Sequence, residues 1–265
     1  MLRHVIFTQG RSGSNFLVKA LNSHPAIVNY GEVLGEWTPS FKLRQVMSTV
    51  NFSTIDYLEF LFSNQMLYHC AQVWSAVAHL RKGEPFSFKP RGKIKSLGIK
   101  EFGINFQRFQ VEEFLKKNSD IAVIHLVRDN LLQRYLSLES LQRHHIVATT
   151  NASLSLGKMR IDIANMLATL ELLSQERKYE HSLMQSLSGN PTFHIRYEDA
   201  YTNAETLRGM LKQVFEFLEV PPIDTLSNQR NSQRKILPKR IEEIVENYDE
   251  VVEAIRPTCY AQYLD

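Results

Sequence analysis

The run Gln9-Gly10-Arg11-Ser12-Gly13-Ser14-Asn15 carries the residue types that hold a phosphate or a sulfate. Ahead of it, His4 to Thr8 is a short β-branched and aromatic segment; behind it, Asn15 to Leu21 suits a helix. The loop therefore joins a strand to a helix N-terminus, where unpaired backbone N–H groups and the positive end of the helix dipole favour an anion. Gly10 and Gly13 let the backbone approach the anion, Ser12 and Ser14 can donate from their hydroxyls, and Arg11 adds a fixed charge with a fork of donors. A Walker A loop is excluded, because Ser14 follows Gly13 where lysine is required. The plain alternative is that the two glycines only form a tight turn.

A second concentration of positive charge follows Ile121 to Val127, a nearly all-apolar run that reads as a buried strand ending at Arg128. A helix is expected from about Asn130 to His145; on it Arg134 precedes Ser137 by one turn and shares its face. An ion pair with Asp129 or Glu139 is the bland role for Arg128. Between Arg81 and Lys100 the bases Arg81, Lys82, Lys89, Arg91, Lys93, Lys95 and Lys100 meet a single acid, Glu84. That pattern fits a solvated loop or an electrostatic funnel for an anionic ligand. His24 lies in the helix-stop sequence Asn22-Ser23-His24-Pro25, where a turn role is common. The pair His144-His145 could line a pocket, but no third ligand is spaced to make a metal site.

With these residues in view, the chain resembles the sulfotransferases that use 3′-phosphoadenosine 5′-phosphosulfate (PAPS), in their soluble, bacterial-type form. Arg11-Ser12-Gly13-Ser14-Asn15 is similar to the family's loop for the 5′-phosphosulfate, with arginine where many members have lysine. The resemblance assigns Gly10, Arg11, Ser12, Gly13, Ser14 and Asn15 to that group, and Arg128 with Ser137 to the 3′-phosphate, with Arg134 as a supplement. It makes Glu32, just beyond the second predicted strand, the general base, with Glu36 in reserve, has Arg11 stabilise negative charge on the leaving phosphate, and brings Lys100 close to the reacting centre. A basic loop closing over the nucleotide would come from Gln229 to Lys235, through Arg230, Arg234 or Lys235. Ile195 to Asp199 is similar to a family segment of mainly structural role. The implied reaction is in-line sulfuryl transfer to a hydroxyl or amine of a small acceptor (a sugar, a phenol or a specialised metabolite), releasing 3′-phosphoadenosine 5′-phosphate (PAP) with no metal required. The rivals are a P-loop kinase or ATPase and an inactive nucleotide-binding module.

These residues need a scaffold. Strands are expected at 4–8, 27–30, 97–100, 121–127 and 192–197, and helices at 15–21, 54–80 (one or two), 109–117, 130–145, 160–187 and 204–218, with another carrying Ile241, Ile244 and Val245. Segments 146–158 and 221–238 lack periodicity and read as loops. Alternating strands and helices predict a three-layer α/β fold with a central, mostly parallel sheet of the P-loop-like sulfotransferase type, as one domain over 1–265. The 265 residues, 43% hydrophobic and 22% charged, suffice to bury such a core. A formal charge of +3 is too small to argue for nucleic acid or a membrane, so any anion site must be local. Cys70 and Cys259 stand far apart with no metal-type spacing, which suits a reducing compartment. With no signal-like segment and no stretch approaching the roughly 20 apolar residues of a membrane span, a cytoplasmic location is expected.

Overall fold

A computed structural model describes residues 1–81, 83, 86–144, 157–226 and 240–264. Five strands form one all-parallel sheet: β1 (Leu2–Thr8), β2 (Ile27–Asn29), β3 (Ser96–Phe102), β4 (Ala122–Val127) and β5 (Thr192–Arg196), in the spatial order β2-β3-β1-β4-β5. β1 sits in the middle because it is apolar on both faces: Val5, Ile6 and Phe7 have no exposed surface. Val5 and Phe7 point into one core with α3 (Thr54–Ser63), α5 (Gly103–Phe109), α6 (Glu112–Lys117) and the C-terminal part of α8 (Ile163–Ser186). Ile6 points into the other with α1 (Ser14–Ser23) and α10 (Ala204–Phe217). This is the expected three-layer α/β arrangement. A third apolar cluster packs α7 (Leu131–His144) and the start of α8 against α11 (Tyr248–Ile255) beyond the sheet edge.

Register fixes what meets at the C-terminal edge. Thr8 pairs with Phe102 on one side and with Leu126 on the other. The segment leaving β1 therefore lies between the ends of β3 and β4, where the chain turns to opposite sides of the sheet. Open parallel sheets take their ligands in that crevice.

The helical stretch 54–80, expected as one helix or two, is two, α3 and α4 (Gln65–Arg81), because Asn64 is extended and its Oδ1 accepts from Leu67 N at 2.8 Å. Other elements differ from expectation. The predicted helix 109–117 is the shorter α6, because Gln110, whose φ of 51° is left-handed, ends the preceding α5 at Phe109. α2 (Pro39–Ser48) was not anticipated; Thr38 caps it from Phe41 N at 3.1 Å, with Pro39 opening the first turn. Tyr197–Ala200 forms the short helix α9. Ile241 lies in a 3₁₀ turn over Ile241–Glu243, and the helix comes later as α11. Among the described residues no helix is long and apolar enough to cross a membrane.

Candidate active site

The loop after β1 is braced from within. Thr8 Oγ1 donates to Leu126 O at 2.8 Å, and Ser12 Oγ lies 2.6 Å from Thr8 Oγ1 and 2.7 Å from Gln9 O, to which it donates. Ser12 is fully buried, and its hydroxyl is engaged within the loop. Arg11 has φ 65° and Gly13 φ 83°, two left-handed residues in a short turn that curls the main chain before α1 begins at Ser14. Non-glycine residues in that region store strain, and Arg11 is held there by its neighbours. At Gly13 a side chain is also barred by packing: a Cβ would stand 3.0 Å from Tyr201 Cζ and 3.1 Å from Tyr197 Cε2. Tyr201 Oη donates to Gly13 O at 3.2 Å, and the two tyrosine rings stack at 4.8 Å.

Three arginines converge on this turn. Arg128 Nη1 donates to Arg11 O at 3.1 Å, and its guanidinium lies 4.6 Å over the Tyr197 ring. Arg134 Nε donates to Gly10 O at 2.9 Å, and Arg134 Nη2 pairs with Glu176 at 2.5 Å. Arg134 is 2% exposed and braces the loop from behind. Arg11 Nε donates to Ser137 Oγ at 2.9 Å, bringing the two anticipated anion sites into contact through α7. Arg128 is not the partner of Asp129 or Glu139: Asp129 pairs with Arg177 and Arg196, and Glu139 with Arg143. The crowding has an electrostatic signature. Burial, then Arg128, lowers the pKa of Arg11, and burial lowers that of Arg128. Like charges held this close are relieved by an anion between them.

On the other side of the loop, Lys100 near the end of β3 is 1% exposed. Its ammonium forms an ion pair with Glu32 Oε1, donates to Asn15 Oδ1 at 3.1 Å and lies 4.5 Å over the Phe102 ring. Asn15 is thus the loop residue that reaches the Glu32–Lys100 pair, while Arg11 turns toward α7. Among the described residues, the buried Glu32 Oε2 has no hydrogen-bond partner.

The next residue, Glu101, is fully buried. Its Oε2 accepts from Val33 N at 3.0 Å and Leu34 N at 2.7 Å; its Oε1 accepts from Phe102 N at 3.0 Å and Asn105 Nδ2 at 2.6 Å. Burial pushes this carboxyl above the usual range, and the four donors pull it back. The effect is to clamp the turn carrying Glu32 onto the end of β3. Behind the loop, Glu180 on α8 is buried beside Glu176 and faces the Gln9 side chain without a well-formed hydrogen bond; burial pushes it up to about 8.

Other anticipated residues lie elsewhere. Glu36 pairs with Arg108 at 2.5 Å on the surface, both more than half exposed. His24 accepts from Ala26 N through Nδ1 at 3.0 Å and contacts Pro221 O through Nε2 at 3.0 Å, within the turn after α1. Lys89 is not solvated: its ammonium donates to the carbonyls of Asn22, His24 and Ile27, and burial lowers it to about 8. His144 ends α7, exposed. Lys82, Glu84, His145, Arg230, Arg234 and Lys235 lie outside the described residues. Among the described residues no group of three or more His, Cys, Asp or Glu could hold a metal ion.

Sequence reasoning missed Glu101, Glu176 and Tyr201; Tyr197 and Glu198 fall in the segment Ile195 to Asp199, expected to be mainly structural, and Glu198 accepts from Asp129 N at 3.1 Å and Asn130 N at 3.0 Å where β4 gives way to α7. The available signal was Tyr197 and Tyr201 at i and i+4, directly after a strand.

No family model matches the chain. No curated protein matches it either. Among solved structures it is similar to sulfotransferase STF9 from Mycobacterium avium, at 12% identity and a TM-score of 0.41, over 97% of this chain and 76% of that one. It is also similar to the sulfotransferase domain from the curacin biosynthetic pathway, at 14% identity and a TM-score of 0.44, over 92% of this chain and 83% of that one.

Proposed function

We propose that this protein transfers a sulfuryl group from PAPS to a hydroxyl or amine of a small acceptor. The observation that carries the reading is the buried Lys100–Glu32 pair, joined through Asn15 to a loop whose opposite flank holds Arg11, Arg128 and Ser137. A nucleotide with phosphate groups at both ends suits two adjoining cationic positions, one at the curled turn and one at Arg128 and Ser137. A lone proton acceptor beside the turn suits attack by an acceptor hydroxyl. In this reading Glu32 Oε2 takes the acceptor's proton, the acceptor oxygen bonds to sulfur, and the bond from sulfur to the 5′-phosphate oxygen breaks. The products are the sulfated acceptor and PAP; Lys100 and the loop amides stabilise the charge that develops. Arg11 and Ser137 serve the nucleotide, with Arg11 reaching from the turn toward α7. The chain would then work as a single domain in the cytoplasm.

Calorimetric titration with PAP tests the donor assignment. PAP should bind the wild type, and Arg128→Ala should weaken it by roughly tenfold to a hundredfold, the loss expected for a charge-assisted contact. A labelled-PAPS screen of small alcohols, phenols, sugars and amines then tests transfer, which Arg11→Ala should lower strongly. Binding of Mg-ATP with no affinity for PAP would refute the reading in favour of a kinase or ATPase. PAP binding without transfer to any acceptor would leave a nucleotide-binding module.

A further inference from the structure

α4 is turned inside out. Met66, Cys70, Val73, Val77 and Leu80 follow one another at alternating spacings of four and three, the seam of a coiled coil. A helix of a globular domain normally points such a stripe at its own core. Here every member is exposed, Val73 at 54%, Met66 at 77% and Leu80 at 79%, with Trp74 beside them at 63%. The inward face is formed instead by Tyr68 and the polar Gln72, whose Oε1 accepts from Lys89 N at 3.3 Å. A solvated helix face carries charge, yet the only Asp, Glu, Lys or Arg in these 17 residues is Arg81, at the last position. Depletion of charge with enrichment in Trp and Met is the composition of an interface core.

We propose that α4 is a homodimer interface, packing antiparallel against α4 of a second copy. The seam is nearly symmetric about Val73, with members three and seven residues before it and four and seven after it, so a two-fold axis there sets Val73 against its own mate, Met66 against Leu80 and Cys70 within one residue of Val77. The antiparallel sense also separates the two Arg81 side chains by the length of the helix, whereas a parallel pair would bring them together. Phe88, 62% exposed, extends the patch: Phe86 meets it edge-on at 5.0 Å and lies tilted against His79 of α4 at 5.5 Å. Seven exposed apolar side chains at roughly 100 Å² apiece approach the ~800 Å² per partner that a stable dimer buries.

The test is the mass of the full chain in solution, by light scattering and sedimentation over about 1–100 µM. The wild type should run at twice its 30.7 kDa chain mass. Val73→Glu with Val77→Glu should give the monomer with unchanged circular dichroism and melting, while Leu172→Glu, an exposed apolar control on α8, should leave the dimer intact. In a Cys70→Ser, Cys259→Ser background, Val73→Cys should cross-link to a disulfide dimer under mild oxidation; no cross-link would overturn the antiparallel alignment. A wild type that stays monomeric throughout, or a dimer that survives the double glutamate change, would overturn the proposal. A monomer that co-sediments with anionic phosphatidylserine vesicles through Val73 and Val77 would assign the face to a membrane surface instead.

Discussion

Replacing Glu101 by glutamine removes one oxygen from a carboxylate that accepts four hydrogen bonds, two at each oxygen. The glutamine oxygen can serve one pair of donors; its NH2 group must then face the other pair, either the amides of Val33 and Leu34 or Phe102 N and Asn105 Nδ2. Two buried donors are left without an acceptor, at about 1–3 kcal/mol each. Relief from holding a buried charge offsets part of this, because burial already disfavours the ionised form. The expected net loss is about 2–3 kcal/mol, or roughly 4–10 °C in melting temperature for a chain of this size. Urea unfolding measures the first figure and calorimetry the second. The clamp also holds the turn that carries Glu32, so transfer should fall by roughly tenfold or more, the rate cost of about 1.4 kcal/mol of misplacement. PAP affinity should stay near wild type, since Glu101 bonds to the Glu32 turn and α5 but not to the anion loop. Stability within about 0.5 kcal/mol of wild type together with unchanged turnover would refute the reasoning.

Two further outcomes follow from groups around the loop. Gly13→Ala forces a Cβ into a left-handed conformation and against Tyr201 and Tyr197, so stability should drop by about 2–4 kcal/mol and the heat of PAP binding should vanish; urea titration and calorimetry read both. Glu180 has a folded pKa of about 8, above its value of 4.5 in the unfolded chain, so its contribution is fully present below pH 4.5 and is lost as pH rises through 8. Unfolding at pH 5, 7 and 9 should show the wild type losing a few kcal/mol relative to Glu180→Gln over that interval.

The sequence displayed the strands and the anion loop because their signals are local. Ile121 to Val127 is apolar without a break, and two glycines with an arginine stand between a strand and a helix start. The support behind the loop was not legible. Glu101 beside Lys100 looks like any surface ion pair, and only the parallel register of β1 with β3 puts it inside the sheet. Arg134 shares a helix face with Ser137, yet that face is pressed against the loop carbonyls, which periodicity does not report. Tyr197 and Tyr201 matter through β5, whose place at the far edge of the sheet follows from strand order. α2 escaped notice because only Phe41 on it is buried, so it lacks an apolar stripe. In α4 the stripe was visible, but periodicity gives a face, not its direction.

The bond from Tyr201 to the Gly13 carbonyl spans 188 residues of chain. The loop leaves the ribosome well before β5 and α9, and it lacks its lid of stacked rings until they have been synthesised and docked. An anion held at this turn would therefore favour the finished sheet over any early folding intermediate. A nascent chain halted before residue 190 would carry all the loop's own residues and still present an unformed site.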